Sequence, residues 1–174
     1  MEVGNTMKGW NLGAAIQSTD PEVLKNIKRS NISTEAYKEL IDFGNSSDES
    51  RNKTESAIIL AMPGDTKQKH YESLRFGVDN NVKTMKMFQA MLLPGTEMAS
   101  RETREKFKLK TKFRIIPGAL GMYDILNEKH PITEIEEIIV GNNTLSEQDY
   151  LDCRIMNLFI ATFYVLEYTY QYPD

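Results

Sequence analysis

Few residues of this 174-residue chain are of types that do chemistry, and their spacing limits what they can do. The only cysteine, Cys153, stands beside Arg154, whose charge could lower the thiol pKa and favour a thiolate nucleophile. On a helix, a lone cysteine is otherwise a small buried hydrophobe. It closes no intramolecular disulfide, and alone it holds neither zinc nor an iron–sulfur cluster. The two histidines, His70 in KQKHYE and His130 before Pro131, have no sequence relation to Cys153, so no nucleophile–base triad can be argued. The segment AMPGDT, Ala61 to Thr66, has the form of a turn at a helix N-terminus, where free amides favour an anion. Asp65 opposes phosphate there, the lysine of G-x-x-x-x-G-K-[ST] is missing, and no G-x-G-x-x-G occurs. The stretch RETREKFKLKTKFR, Arg101 to Arg114, sets Lys and Arg around Phe107 and Phe113 and could bind RNA or phosphate. A solvated basic helix with core-directed Phe explains it as well.

The bulk numbers decide against the charged partners. Lys plus Arg total 21 against 25 Asp plus Glu, a net charge of −4, so nucleic acid and anionic membranes are disfavoured and a small molecule or a protein is the expected partner. With 40% apolar and 26% charged residues, the composition is that of a folded protein of about one domain. No basic start followed by an apolar run opens the chain, and no stretch reaches the roughly 18 apolar residues that span a bilayer. The expectation is a cytoplasmic protein without a membrane segment.

The elements that must position any site follow from periodicity. WNLGAAIQ, Trp10 to Gln17, predicts a short buried strand, and PEVLKNIKRSN a short helix with Pro21 at its first position. A second helix from Ser33 or Thr34 puts Ala36, Tyr37, Leu40 and Ile41 on one face and stops at Gly44, and the polar GNSSDESRNKTE is a surface loop. SAIILAM, Ser56 to Met62, is the continuous apolar run of a strand buried on both faces. TKQKHYESLRFGVDNN then predicts a crossover helix, and VKTMKMFQAMLL, Val82 to Leu93, a third strand that closes on PGTEM. ASRETREKFKL is a third helix with Ser100 as N-cap, KFRIIPG and EIEEIIVG add short strands, and LSEQDYLDCRIMNLFIATFYVLEYTY is a long helix. Strand, turn and helix thus recur, which indicates a parallel sheet, either open and doubly wound or an arc of a barrel. Both bind ligands beyond the strands' C-terminal ends, here at Gln17 and Ser18, Ala61 to Thr66, and Gln89 to Thr96.

Three segments taken in order, AAIQSTDPEVLKNIKRSNIS, AIILAMPGDT, and FQAMLLPGTEM followed by TREKFKLKTKFRIIPG, resemble the C-terminal half of the radical S-adenosylmethionine (SAM) domain over residues 8 to 165. The likeness is strongest to the cobalamin-binding subgroup. It implies an α/β fold, a partial (β/α) TIM-type barrel of about three βα units over residues 1–130, with a C-terminal extension and long helix over 131–174. The complete enzyme would cleave SAM reductively at a 4Fe–4S cluster to a 5′-deoxyadenosyl radical, and cobalamin stays open as a further cofactor. Gln17, with Ser18 beside it, and Arg29 match the family's SAM-contacting strand end and the arginine twelve residues on. Ala61, Pro63 and Gly64 fall in the segment that packs on adenine, and Gln89, Met91 and Leu92 in the strand near adenine and substrate.

The family's C-x-x-x-C-x-x-C motif follows its first strand and has no counterpart in this sequence, so no cluster ligand and no catalytic residue is assigned. An acidic residue common in the family is replaced by Ala57, with Glu55 one pleat further back. By this resemblance the chain is a fragment, completed by the missing N-terminal half-barrel or by self-association. The competing expectation is a non-catalytic binding or interaction module built on a degenerate half barrel, or an RNA binder using the basic strip.

Overall fold

The chain folds around one short parallel pair of strands, and several of its helices start at a side-chain cap. The computed structural model describes residues 13–46 and 54–165. Trp10 to Leu12 of the first expected strand, most of the expected loop before Glu55 and the end of the expected long helix lie outside the described residues. Asp20 caps α1 (Pro21–Asn26), its carboxylate accepting the Val23 N–H at 2.9 Å. Helix α2 (Thr34–Ser46) buries Tyr37, Ile41 and Gly44. Strand β1 (Glu55–Leu60) alternates, with Ser56, Ile58 and Leu60 buried and the residues between them half-buried. Thr66 caps α3 (Lys67–Asp79), whose return delivers β2 (Thr84–Gln89) parallel to β1, from Glu55 opposite Thr84 to Leu60 opposite Gln89. Ser100 caps α4 (Arg101–Phe107), as expected from the sequence. The antiparallel strands β3 (Lys110–Ile125) and β4 (Glu128–Gly141) follow, then α5 (Glu147–Phe159), which runs into a π-helical turn, Ile160–Val165.

The partial TIM-type barrel is not what the chain forms. The described strands make a two-stranded parallel sheet and a two-stranded antiparallel sheet, and no barrel closes. Residues 13–17 pair with β1 as two isolated parallel bridges, Gly13 to Glu55 and Gln17 to Ile58, and not as a continuous strand. Beyond β2 the parallel pattern ends. KFRIIPG and EIEEIIVG, expected as separate short strands, are the base of one long hairpin whose turn is Leu126 and Asn127, both left-handed at φ 54° and 66°. A two-residue connection admits only antiparallel pairing, whereas a further barrel strand needs a crossover of a dozen residues or more. Position 131, the expected domain boundary, falls inside β4.

The hairpin joins the parallel pair at one place. The Ile139 N–H donates to the Ala90 carbonyl and the Leu92 N–H to the Glu137 carbonyl, each at 2.9 Å, with Met91 bridged antiparallel to Ile138. Residues 13–17, β1, β2 with its extension, β4 and β3 are thus hydrogen-bonded in that order. Two apolar clusters lie along β1. Ile58 belongs to one, with Ile16, Tyr37, Ile41, Leu74, Val82 and Met85. Leu60 belongs to the other, with Val23, Met62, Leu92, Ile139, Leu145 and Cys153.

Candidate functional site

Beyond the C-terminal ends of β1 and β2 lies a cavity of about 1000 Å³. That is at the upper end of the size range of small-molecule sites. Met87, Gln89, Met91 and Leu93, of one parity along β2 and its extension, form the cavity floor, and Phe88, of the other parity, also lines it; Phe88, Met91 and Leu93 are 51%, 42% and 55% exposed. Met62, Met87 and Met98 extend the apolar wall. The polar lining is Gln17, Ser30, Gln89, Lys28, Arg29, Arg114 and Arg154, and among the described residues no Asp or Glu lines the cavity.

Four of the residues singled out from sequence meet here. Gln17 lines the cavity at the edge formed by residues 13–17, in a left-handed conformation (φ 55°) between its hydrogen bonds to the Ala57 carbonyl and from the Ile59 N–H. Arg29 lies just past α1; its Nη2 donates to the Ala15 carbonyl at 2.5 Å and its Nε to Asn31 Oδ1 at 3.3 Å. Among the described residues the guanidinium pairs with no acid and uses two of its five N–H groups, leaving a fork edge for a carboxylate. Gln89 accepts from Arg114 through Oε1, and Met91 lies on the floor.

The other five do not reach the cavity. Leu92 is 3% exposed in the core, because strand side chains alternate and Met91 has taken the open face. Ser18 is buried, its Oγ accepting the Asp20 N–H and its carbonyl accepting from Asn31. Ala61, Pro63 and Gly64 are buried in a turn closed by Asp65, whose carboxylate accepts the Ala61 N–H at 3.0 Å and the Thr66 N–H at 2.9 Å. Gly64 (φ 83°) packs so close to Asn26 that a Cβ would stand 2.5 Å from its Nδ2, which donates to the Pro63 carbonyl. Asn142 and Thr144, from the loop before α5, bond the carbonyls of Met62 and Asp65. Burial pushes the Asp65 carboxyl up to about 7 against those two amide bonds. This turn is a buried joint rather than an anion site.

The remaining candidates resolve by environment. Cys153 is fully buried, and burial pushes its thiol up to about 12, so Arg154 does not make it a nucleophile. His70 is buried with Nε2 at 2.9 Å from Asn157 Oδ1, and burial lowers its pKa. In the basic strip, Arg101 pairs with Glu105, Arg114 with Glu136, and Lys110 and Lys112 with Glu147. Arg104 forks onto Glu137 at 2.6 Å through both nitrogens and holds its carboxyl down to about 2. Phe107 is buried, as the core-directed reading requires, while Phe113 is exposed.

Sequence reasoning missed Arg114 and Arg154 as cavity residues. In the sequence the first belongs to the basic strip and the second is only a neighbour of Cys153; no local pattern marks either, since the hairpin and α5 bring them in from far along the chain. No group of three or more His, Cys, Asp and Glu able to hold a metal occurs among the described residues. Nor does any helix among them have the length and apolarity to cross a membrane. No protein-family model matches this chain, and a search of curated proteins finds no match.

Proposed function

We propose that the cavity binds the adenosyl and methionyl parts of S-adenosylmethionine, and that the chain serves radical SAM chemistry as a cofactor-binding unit. One observation carries this reading. Gln17, Arg29, Gln89 and Met91, drawn by the resemblance from two separate segments, line a single cavity. Met62, Met87, Met91 and Phe88 offer an apolar, polarisable surface for a purine, and the free fork edge of Arg29 suits the methionyl carboxylate.

The residues of this chain do not fit an iron–sulfur cluster. One buried cysteine with a raised pKa replaces the three thiolates such a cluster needs. Reductive cleavage is therefore not assigned to any residue here. The same reading expects a cytoplasmic protein, a small-molecule substrate, and a partner that supplies the cluster.

Calorimetric titration of the full chain with S-adenosylhomocysteine, which keeps the carboxylate and adenosine and lacks the sulfonium, tests the reading. Binding is expected, and Arg29→Ala should weaken it by about 1.5–3 kcal/mol, the worth of a hydrogen bond to a charged group. Absence of binding, or an affinity indifferent to Arg29→Ala, would overturn it.

A further inference from the structure

The cavity carries more positive charge than one carboxylate uses, and that charge is divided along the strand order. Arg29 is tied to Ala15, beside the residues that bridge to β1. Arg114 comes from β3 at the other edge and touches Gln89 on β2. Two interstrand steps, roughly 10 Å, separate residues 13–17 from β2, where Arg114 meets Gln89. Arg154 enters from α5 and lines the same cavity as Arg114.

The neutralising partners are unevenly shared. Lys28 is paired with Glu97 at 2.7 Å and Arg114 with Glu136. Arg154 makes no hydrogen bond or ion pair among the described residues, in a cavity whose described lining holds no carboxylate. An unmatched guanidinium over an apolar floor is a receptor for a planar or tetrahedral oxyanion.

We propose that Arg154, assisted by Arg114, binds an oxyanion, carboxylate or phosphate, carried by the small-molecule substrate at the β2–β3 side of the cavity. The proposal rests on the adenosyl reading for calling that molecule the substrate. The volume suits two ligands: an S-adenosyl group with its carboxylate on Arg29, and a second molecule whose anionic group lies on Arg154.

The test is calorimetry on the full chain with two probes, inorganic pyrophosphate for the phosphoryl source and malonate for the carboxylate source, with S-adenosylhomocysteine titrated in parallel. At least one probe should bind, and the tighter one identifies the oxyanion. Arg154→Gln should weaken that probe at least tenfold and Arg114→Gln several-fold, whereas Arg154→Lys should restore part of the loss and Arg29→Gln leave it within twofold. S-adenosylhomocysteine should show the reverse pattern. Since the Arg154 side chain is exposed and has no partner among the described residues, its replacement should leave the thermal melt in place. Binding of neither probe, or an affinity unchanged by Arg154→Gln, overturns the proposal. If S-adenosylhomocysteine fails to bind while Arg154-dependent binding of a probe remains, the anion subsite is supported and the adenosyl reading alone falls.

Discussion

After β1 the chain runs Ala61-Met62-Pro63-Gly64-Asp65-Thr66, and after β2 it runs Met91-Leu92-Leu93-Pro94-Gly95-Thr96. These two turns end neighbouring parallel strands, share a Pro–Gly pair and have a left-handed glycine, at φ 83° and 84°. In the first, residues 61 to 65 are all buried; in the second, only Leu92 is. What separates them is the residue after glycine. Asp65 folds back onto two amides and draws in Asn142 and Thr144 through the neighbouring carbonyls. Thr96 instead donates to the Leu93 carbonyl and caps a short 3₁₀ turn in solvent. A carboxylate that satisfies buried amides makes a turn part of the core, and its absence leaves the next strand end open to a ligand.

The largest effect that could break this comparison is on the glycines. Gly64→Ala adds left-handed strain of about 1–2 kcal/mol and displaces the Asn26 amide, about 1 kcal/mol more, so urea unfolding should show a loss of about 2–3 kcal/mol. Gly95→Ala meets nothing within 4 Å and should lose only the strain, about 1–2 kcal/mol. Equal losses at the two sites would mean that the turns are not different in kind.

A smaller effect sharpens it through pH. His70, on the helix that the buried turn opens, favours its neutral form when folded, so its contribution is whole above its ordinary pKa of 6.5 and is lost as pH falls from there through the lowered folded value. Asp65 acts in the opposite sense. With its pKa raised from 3.8 to about 7, its contribution is present below 3.8 and lost as pH rises through 7. In His70→Gln, whose amide can still meet Asn157, only the Asp65 trend remains. Stability should then rise relative to the parent as pH falls from about 7 to about 5.5, read from melting curves. A fall parallel to the parent would show that neither group is placed as described.

The smallest effect is on the open side. Met91→Ala should alter stability by less than about 0.5 kcal/mol, because the side chain is already 42% exposed, yet weaken S-adenosylhomocysteine several-fold. A loss of stability comparable to a core truncation would place Met91 in the interior and remove the cavity floor.

Much of the local structure is legible in the sequence. The Ser100 cap, the apolar run of β1 and the crossover helix after Thr66 are fixed by chemistry within a few residues. The hairpin is not, because Leu126–Asn127 lacks the Asn-Gly or Gly signal of a two-residue turn and its arms run with exposed apolar residues such as Phe113 and Ile115. The site is half legible for the same reason. Gln17, Gln89 and Met91 sit at strand ends that periodicity locates, and Arg29 is given by the resemblance alone, whereas Arg114 and Arg154 reach the cavity through a hairpin register and a helix docking that no short pattern encodes. The expectation that the Pro63–Gly64 turn joins them fails on Asp65, whose sequence context speaks against phosphate but does not disclose that the carboxylate folds back onto its own turn.

The methionines allow the central claim, that the cavity beyond β2 is the adenosyl site, to be read residue by residue. Met62, Met87, Met91 and Met98 line it, while Met85 is in the core, Met122 is on the hairpin and Met156 is on α5. In a methyl-labelled sample titrated with S-adenosylhomocysteine, the first four methyl signals should shift together along one saturation curve and the last three should stay. Saturable binding that moves Met122 or Met156 and leaves the cavity methionines in place would contradict the claim.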